Sequence, residues 1–387
     1  MARGRRRLLL PLLSVAIGSI AAVLVTELAF RFLDLRQRDP GRIFRISDGP
    51  DVQFPGRAGH AVIDLYVSNP RGTFPLDLRD EATRSDLVRR KFARVDEARA
   101  HHPFGVPFSY DSRGFRDREF APKPAGVRRV VFVGDSFVEA QGVVESATAV
   151  RLVERALRRD DAAVEVWNLG VRGHDFPELE GVFDAALDLQ PDVLVYGMVL
   201  NDVERDPSLT KSRPRVNDWI MVRQRTPSWV ERHSYLFSFV RGRYEATQVS
   251  RDTAAWYRAL YTDENQAGWT RTRATWLRIK ARCELEDVVF GVALWPLLVG
   301  LEDGATYPFE DAHAQIRRGV ERAQIPFVDL LPALRGHGTA SLWVHESDLH
   351  PNELAQELVA PVLTRFVQDL ARDRRRGAGD QEPATGR

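Results

Sequence analysis

Two short segments far apart in the chain hold the residue types of serine acyl transfer. Val133-Gly-Asp-Ser-Phe137 places Ser136 directly after a β-branched and aromatic run, and Ser347-Asp-Leu-His-Pro-Asn352 places Asp348 two residues before His350. An aspartate at that spacing can turn back to hold the imidazole Nδ1–H, leaving Nε2 free as general base for a hydroxyl nucleophile. An Asp-x-His pair also suits a metal ion, although no cluster of further ligands accompanies it in the sequence, and no metal or cofactor is expected. Two loops offer donors for an oxyanion. Gly173 closes Asn168-Leu-Gly-Val-Arg-Gly173, where a glycine permits close backbone approach and can aim its N–H, and Asn201 of Leu200-Asn-Asp202 carries a side-chain amide. Each fragment also has a plainer reading: Gly-Asp-Ser as a turn, the glycine loop as the end of a strand, Asn-Asp as an Asx-turn. The Gly-x-Ser-x-Gly elbow of α/β-hydrolases is absent around Ser136.

The elements that must carry these residues follow from hydrophobic patterning. Val130–Val133, Val164–Leu169, Val193–Val199, Val288–Leu294 and Pro326–Leu330 are short apolar runs typical of strands buried on both faces. Helical spacing separates them: Ala149, Leu152, Val153, Ala156 and Leu157 share one face, and Pro177–Leu189 is a second helix. Alternating strands and helices predict right-handed crossovers and a mainly parallel sheet covered on both sides. Ser136, Gly173 and Asn201 then fall at carboxyl ends of strands, where open α/β sheets bind ligands. Residues 203–285 interrupt the alternation with Trp219, Trp229, Trp256, Trp269 and Trp276; they read as a helical insertion that either caps a pocket or packs its own core.

The flanks differ in character. Arg3, Arg5, Arg6 and Arg7 precede a nearly unbroken apolar run from Leu8 to Phe30, about 23 residues or roughly 34 Å as a helix, enough to cross a bilayer. Its length exceeds a typical signal-peptide core, and the basic block outweighs Arg31, Arg36 and Arg38. The expected layout is a cytoplasmic basic tail (1–7), a transmembrane anchor (8–30) and a juxtamembrane segment packing on the main domain (31–125). The catalytic domain (126–370) follows on the extracytoplasmic, periplasmic side, and then a disordered tail (371–387). Within 31–125, the charged stretch Arg79–Ala100 suggests a helix, and Tyr110–Asp117 a turn built on Gly114. A formal net charge of +1 over 387 residues argues against a nucleic-acid partner. The lone cysteine, Cys283, excludes an internal disulfide.

The order of the four fragments (strand-Gly-Asp-Ser, strand-loop-Gly, strand-Asn-Asp, then Asp-x-His-Pro) resembles the SGNH hydrolase superfamily, also called GDSL esterases, over about residues 128–368. The resemblance implies a three-layer α/β/α sandwich around a five-stranded, mainly parallel sheet, flavodoxin-like in outline. It also implies a carboxylester hydrolase with Ser136 as nucleophile, supported by Asp135, and with His350 and Asp348 completing the triad. The oxyanion partners would be Ser136, Gly173 and Asn201. One departure is that many relatives hold the aspartate three residues before the histidine, where this chain has Ser347. An outward-facing anchor suggests an ester-bearing small molecule or an O-acetylated envelope glycan as substrate. The anchored subgroup also resembles O-acetyltransferase components of exopolysaccharide systems, which would imply a multi-pass membrane acyl-donor partner. A non-catalytic, membrane-tethered glycan-binding protein is the third reading.

Overall fold

Short runs of Val, Leu and Phe become strands here because both of their faces are covered. The computed structural model describes residues 2–33, 35, 43–47, 61–66, 104–207, 209, 228–345 and 348–379. In chain order it contains α1 (Ala2–Phe32), β1 (Ile43–Ser47), β2 (Ala61–Tyr66), β3 (Phe104–Ser109), β4 (Arg128–Gly134), α2 (Ser136–Glu139), α3 (Ala149–Asp160) and β5 (Val164–Gly170). There follow α4 (Leu179–Leu187), β6 (Val193–Met198), α5 (Trp229–His233), α6 (Tyr235–Ala259), α7 (Gln266–Leu285) and β7 (Val289–Leu294). The carboxyl-terminal part holds α8 (Glu310–Arg322), β8 (Phe327–Asp329), α9 (Leu331–Leu334), β9 (Trp343–His345), β10 (Asp348–Pro351) and α10 (Glu353–Gly379). The chain divides into one unit of residues 1–40 and 211–256 and another of 41–210 and 257–387.

The larger unit is built on a five-stranded parallel sheet of order β5-β4-β6-β7-β8. It is the expected α/β architecture. Adjacent residues of a strand point to opposite faces, and β7 shows what each face meets. Phe290 packs edge-on against Phe183 of α4, while a Cβ on Gly291 would lie 2.8 Å from the Phe366 ring of α10. Helices therefore cover both sides. The chain leaves β4 for β5 on one side and returns to β6 on the other, so β4 sits where the strand order reverses, the position at which such sheets open a ligand crevice.

Two details depart from the sequence reading. The buried face of α3 is Ala149, Val150, Val153, Glu154 and Leu157, rotated toward Glu154 because Arg118 and Arg151 pair with that carboxylate. Of the expected disordered tail, 371–387, the part as far as Gly379 is helical, with Arg374 donating to Asp192 and, at 2.8 Å, to Asp287; residues 380–387 lie outside the described residues. Upstream, β1, β2 and β3 form an antiparallel sheet that the sequence did not announce. The turn at Tyr110–Asp117 is present, with Asp111 Oδ1 accepting from the N–H groups of Arg113 and Phe115 and Gly114 at φ +90°. Arg79–Ala100, His101, His102, Trp219 and Ser347 lie outside the described residues.

In the smaller unit α1 includes a 21-residue stretch, Leu12–Phe32, of mean hydropathy 2.1 with none of it buried. Near its end Glu27 accepts hydrogen bonds from Ser234 Oγ (2.8 Å) and from the N–H groups of Tyr235 and Leu236 (3.0 Å each), so a side chain of α1 caps the amino end of α6.

Candidate active site

The turn that carries Ser136 is set onto the sheet by a row of glycines. Gly134 ends β4 and is in register with Gly170 of β5 on one side and Gly197 of β6 on the other. A Cβ at Gly170 would fall 2.0 Å from the Glu139 backbone nitrogen, and one at Gly134 or Gly197 would fall 2.4 Å from Val138 Cγ2. Only a strip without side chains lets α2 sit this low across three strands. Asp135 then caps α2, its Oδ1 accepting from the Phe137 N–H at 2.8 Å. Ser136 is the first residue of α2, so its hydroxyl and N–H stand at the crevice; the residue is 8% exposed.

His350 and Asp348 arrive on β10, which pairs with β9 as a separate two-stranded ribbon. His350 Nε2 lies 2.7 Å from Ser136 Oγ across 214 residues of sequence, and its Nδ1 makes a short hydrogen bond to Asp348 Oδ1. The carboxylate on Nδ1 fixes the proton there, which leaves Nε2 as the acceptor for the serine hydroxyl. The spacing of two thus suffices for contact, because Asp348 Oδ1 also accepts the His350 backbone N–H at 3.2 Å. Burial disfavours the imidazolium, but Asp348, with smaller help from Asp135 and Glu139, outweighs it and raises the His350 pKa above its ordinary 6.5.

The two remaining oxyanion candidates follow the carboxyl ends of β5 and β6. Gly173 has φ +79° in the turn after β5, with open space where a Cβ would be. Asn201 follows β6, and its amide nitrogen is 3.4 Å from Asp135 Oδ2, beside the turn that carries Ser136. Beneath it Asp202 accepts from the Tyr196 hydroxyl and the Val199 N–H, both at 2.9 Å. Burial, reinforced by the neighbouring charge of Asp135, holds the Asp202 carboxyl well above the usual range, and burial pushes Asp135 itself up to about 6.

Residues 132–358, more than half of the chain, match the GDSL-like Lipase/Acylhydrolase family. The chain belongs to this family. No curated protein matches it. Among solved structures it is similar to the acetyl xylan esterase AlAXEase (15% identity, TM-score 0.36, covering 62% of this chain and 98% of that one). It is also similar to TesA (15%, 0.36, 62% and 99%) and to the psychrotrophic esterase EstA from Pseudoalteromonas sp. (10%, 0.38, 62% and 97%).

Several residues of this GDSL-family site escaped the sequence reading. Gln141 donates to Asp348 Oδ2 at 2.9 Å, occupying the carboxylate oxygen that His350 leaves free. Asn168 joins the glycine loop to α2, donating to the Val138 carbonyl at 2.9 Å while its own Oδ1 accepts the Gly170 N–H. Arg116, fully enclosed, donates to the carbonyls of Glu139, Ala140 and Val143 and so ties down the carboxyl end of α2. Glu139 accepts from the Tyr110 hydroxyl (2.8 Å) and from Arg172 Nε (2.7 Å), and Arg172 reaches on to Asp64 of β2. A glycine beside a serine loop is visible in sequence; an arginine 20 residues upstream that braces it is not.

The tryptophan-rich insertion serves two ends. Trp269 and Trp276 pack edge-on at 5.4 Å within the core, the plainer of the two expectations. Tyr261 donates to the Leu200 carbonyl (2.9 Å), and Asn265 and Thr272 bond to the backbone of Glu204, so residues 261–272 clamp the loop that carries Asn201. A shallow cavity of about 530 Å³ lined by Lys123, Arg128, Asp192 and Arg374 lies at the amino ends of β4 and β6, away from this chemistry.

Proposed function

We propose that the protein is a serine carboxylester hydrolase acting through an acyl-enzyme. The observation that carries this reading is the hydrogen-bonded chain from Ser136 Oγ through His350 to Asp348. Ser136 attacks the ester carbonyl as His350 Nε2 takes its proton; Asp348 steadies the resulting imidazolium, and Gln141 holds Asp348. The N–H groups of Ser136 and Gly173 and the amide of Asn201 receive the oxyanion. His350 returns the proton to the departing alcohol, and water, deprotonated by the same imidazole, hydrolyses the acyl-enzyme.

We assign α1 as a retained membrane anchor that presents the catalytic domain to the periplasm, with O-acetylated envelope or exported glycans as substrate class. Support for retention comes from Glu27: removing α1 would strip Ser234, Tyr235 and Leu236 of their acceptor. The basic residues before the apolar stretch support the orientation. Incubation of the full-length protein with a fluorophosphonate probe and with p-nitrophenyl acetate tests the chemistry. Labelling of Ser136 and acetate release are expected, and folded protein that does neither would overturn it. Repeating the assay with a deacetylated glycan distinguishes hydrolysis from transfer: acetylated glycan as product would replace the hydrolase with an O-acetyltransferase supplied by a membrane acyl donor.

A further inference from the structure

The end of α1 and the start of α6 form a clasp that leaves one apolar face uncovered among the described residues. Besides the three hydrogen bonds to Glu27, Arg31 pairs with Glu27 at 2.8 Å, donates to the His233 carbonyl and lies over the Tyr235 ring. Phe30 meets Phe239 edge-on at 5.2 Å. These contacts set α5 and the first turns of α6 level with the last turns of α1. On the open side stand Phe237, Val240 and Tyr244, 40%, 55% and 65% exposed, at spacings of three and four that put them on one helical face. Trp229, 66% exposed, and Val230 extend this surface along α5. The exposed apolar residues of α1 extend from Leu12 to Leu28, next to Glu27, where α6 is joined to α1.

We infer that α5 and the first three turns of α6 are a second membrane contact, lying in the boundary between lipid headgroups and acyl chains beside α1. This inference rests on the reading of α1 as an anchor. Aromatic side chains with a polar edge favour that boundary, and Trp229 and Tyr244 are of that kind. Arg232 and Arg243 are exposed beside them, positioned to reach lipid phosphates while their stems cover apolar surface. Glu27 fits the same picture. A carboxylate in an apolar span is tolerated near the boundary when its oxygens are fully engaged, and here two N–H groups, a hydroxyl and Arg31 engage them. The contact has an end as well: past Tyr244 the same face carries Thr247 and the exposed Arg251, about 21 Å beyond Phe237 at 1.5 Å per residue. The consequence is a two-point attachment that fixes the tilt of this unit on the bilayer, which a single helix followed by a free linker would not do.

The test uses full-length protein in phosphatidylcholine–phosphatidylglycerol vesicles. Cys283 is buried, so thiol labelling reports introduced cysteines. An environment-sensitive fluorophore is placed at Phe237→Cys, Val240→Cys or Tyr244→Cys, and for comparison at Arg251→Cys and Ile20→Cys. Nitroxide-bearing lipids are expected to quench the first three and Ile20→Cys several-fold more than Arg251→Cys. Quenching at positions 237, 240 and 244 no greater than at 251, with Ile20→Cys quenched, would overturn this inference and leave the anchor intact. Absence of quenching at Ile20→Cys would overturn both. Labels at 237, 240 and 244 shielded from lipid and from aqueous iodide alike would mean that a protein surface covers the face, which also overturns it. Should a cysteine variant fail to fold, the difference between wild type and Trp229→Phe in quenching by brominated lipids decides the same question: a lipid-quenched component lost with Trp229 is expected, and none would count against it.

Discussion

The sheet end around Ser136 and the clasp around Glu27 invert each other. At the sheet end polar groups are buried: Asp135, Ser136, Glu139 and Asp348 are all enclosed, and each is hydrogen-bonded to a neighbour, respectively the Phe137 N–H, His350, Tyr110 and Gln141. At the clasp apolar groups are exposed, among them Val25, Leu28, Trp229 and Val240. Burying a polar group is costly without partners, so the first region spends neighbouring structure on preorganising a reaction. Leaving a large apolar face in water is costly too, so the second points to a different solvent. One carboxylate in each region makes the contrast concrete. Asp348 holds an imidazole ring; Glu27 holds a helix.

The sharpest way to break the comparison is Ser136→Ala. If the buried polar cluster exists for acyl transfer, esterase turnover should fall by on the order of 10⁶-fold, by analogy with removal of a catalytic serine elsewhere. Melting temperature should barely move, and steady-state kinetics beside a thermal melt check both. Asp348→Asn should cost roughly 10⁴-fold in kcat by favouring the wrong imidazole tautomer. It should also shift the pH profile. The His350 pKa is raised, and the unprotonated ring is the active form, so wild-type kcat/KM should climb with pH through a midpoint above 6.5. Without the carboxylate that midpoint should move down. Stability runs the opposite way: protonated His350 adds to it most fully below pH 6.5, and the contribution fades as pH rises through the folded-state value. Asn201→Ala should lower kcat by about 10²–10³-fold with KM little changed, the signature of a lost oxyanion donor.

Smaller effects sharpen the structural side. Gly170→Ala drives a Cβ into the Glu139 backbone and should destabilise the domain by about 1–3 kcal/mol, measured by urea unfolding, with loss of activity in the fraction that stays folded. Glu27→Ala should leave the kinetics of detergent-solubilised protein unchanged. It should loosen the start of α6 by about 1 kcal/mol, the worth of a helix cap, seen as faster amide exchange at Tyr235 and Leu236. A large kinetic effect there would mean that the two regions are coupled.

Much of this molecule was legible before the fold. The five apolar runs appear as β4 to β8, with boundaries moved by two residues at most, because strands buried on both faces carry a continuous apolar signature. Ser136, Gly173 and Asn201 fall after β4, β5 and β6 as their positions in those runs implied. Arg116 and Gln141 were illegible for a different reason. An arginine or a glutamine is unremarkable in sequence, and only the approach of segments far apart in the chain shows that one braces α2 and the other the carboxylate of Asp348. The helical end of the presumed tail was missed because composition reports solubility, whereas Asp192 and Asp287, the partners of Arg374, lie about 182 and 87 residues away.

Sequence alone therefore determined the class of architecture, the order of the reactive residues and the presence of one bilayer-length apolar helix. Those properties are local: they depend on periodicity, on residue type and on position relative to a strand end. Tertiary structure decided everything that depends on register. It aligned Gly134 with Gly170 and Gly197 so that a helix could settle on the sheet. It brought His350 to within 2.7 Å of a serine 214 residues earlier. It also turned the one acidic residue of an apolar helix into the cap of another. Hydrogen bonds and close packing are set by distances of a few ångströms between atoms, and no spacing along the chain encodes those across 200 residues.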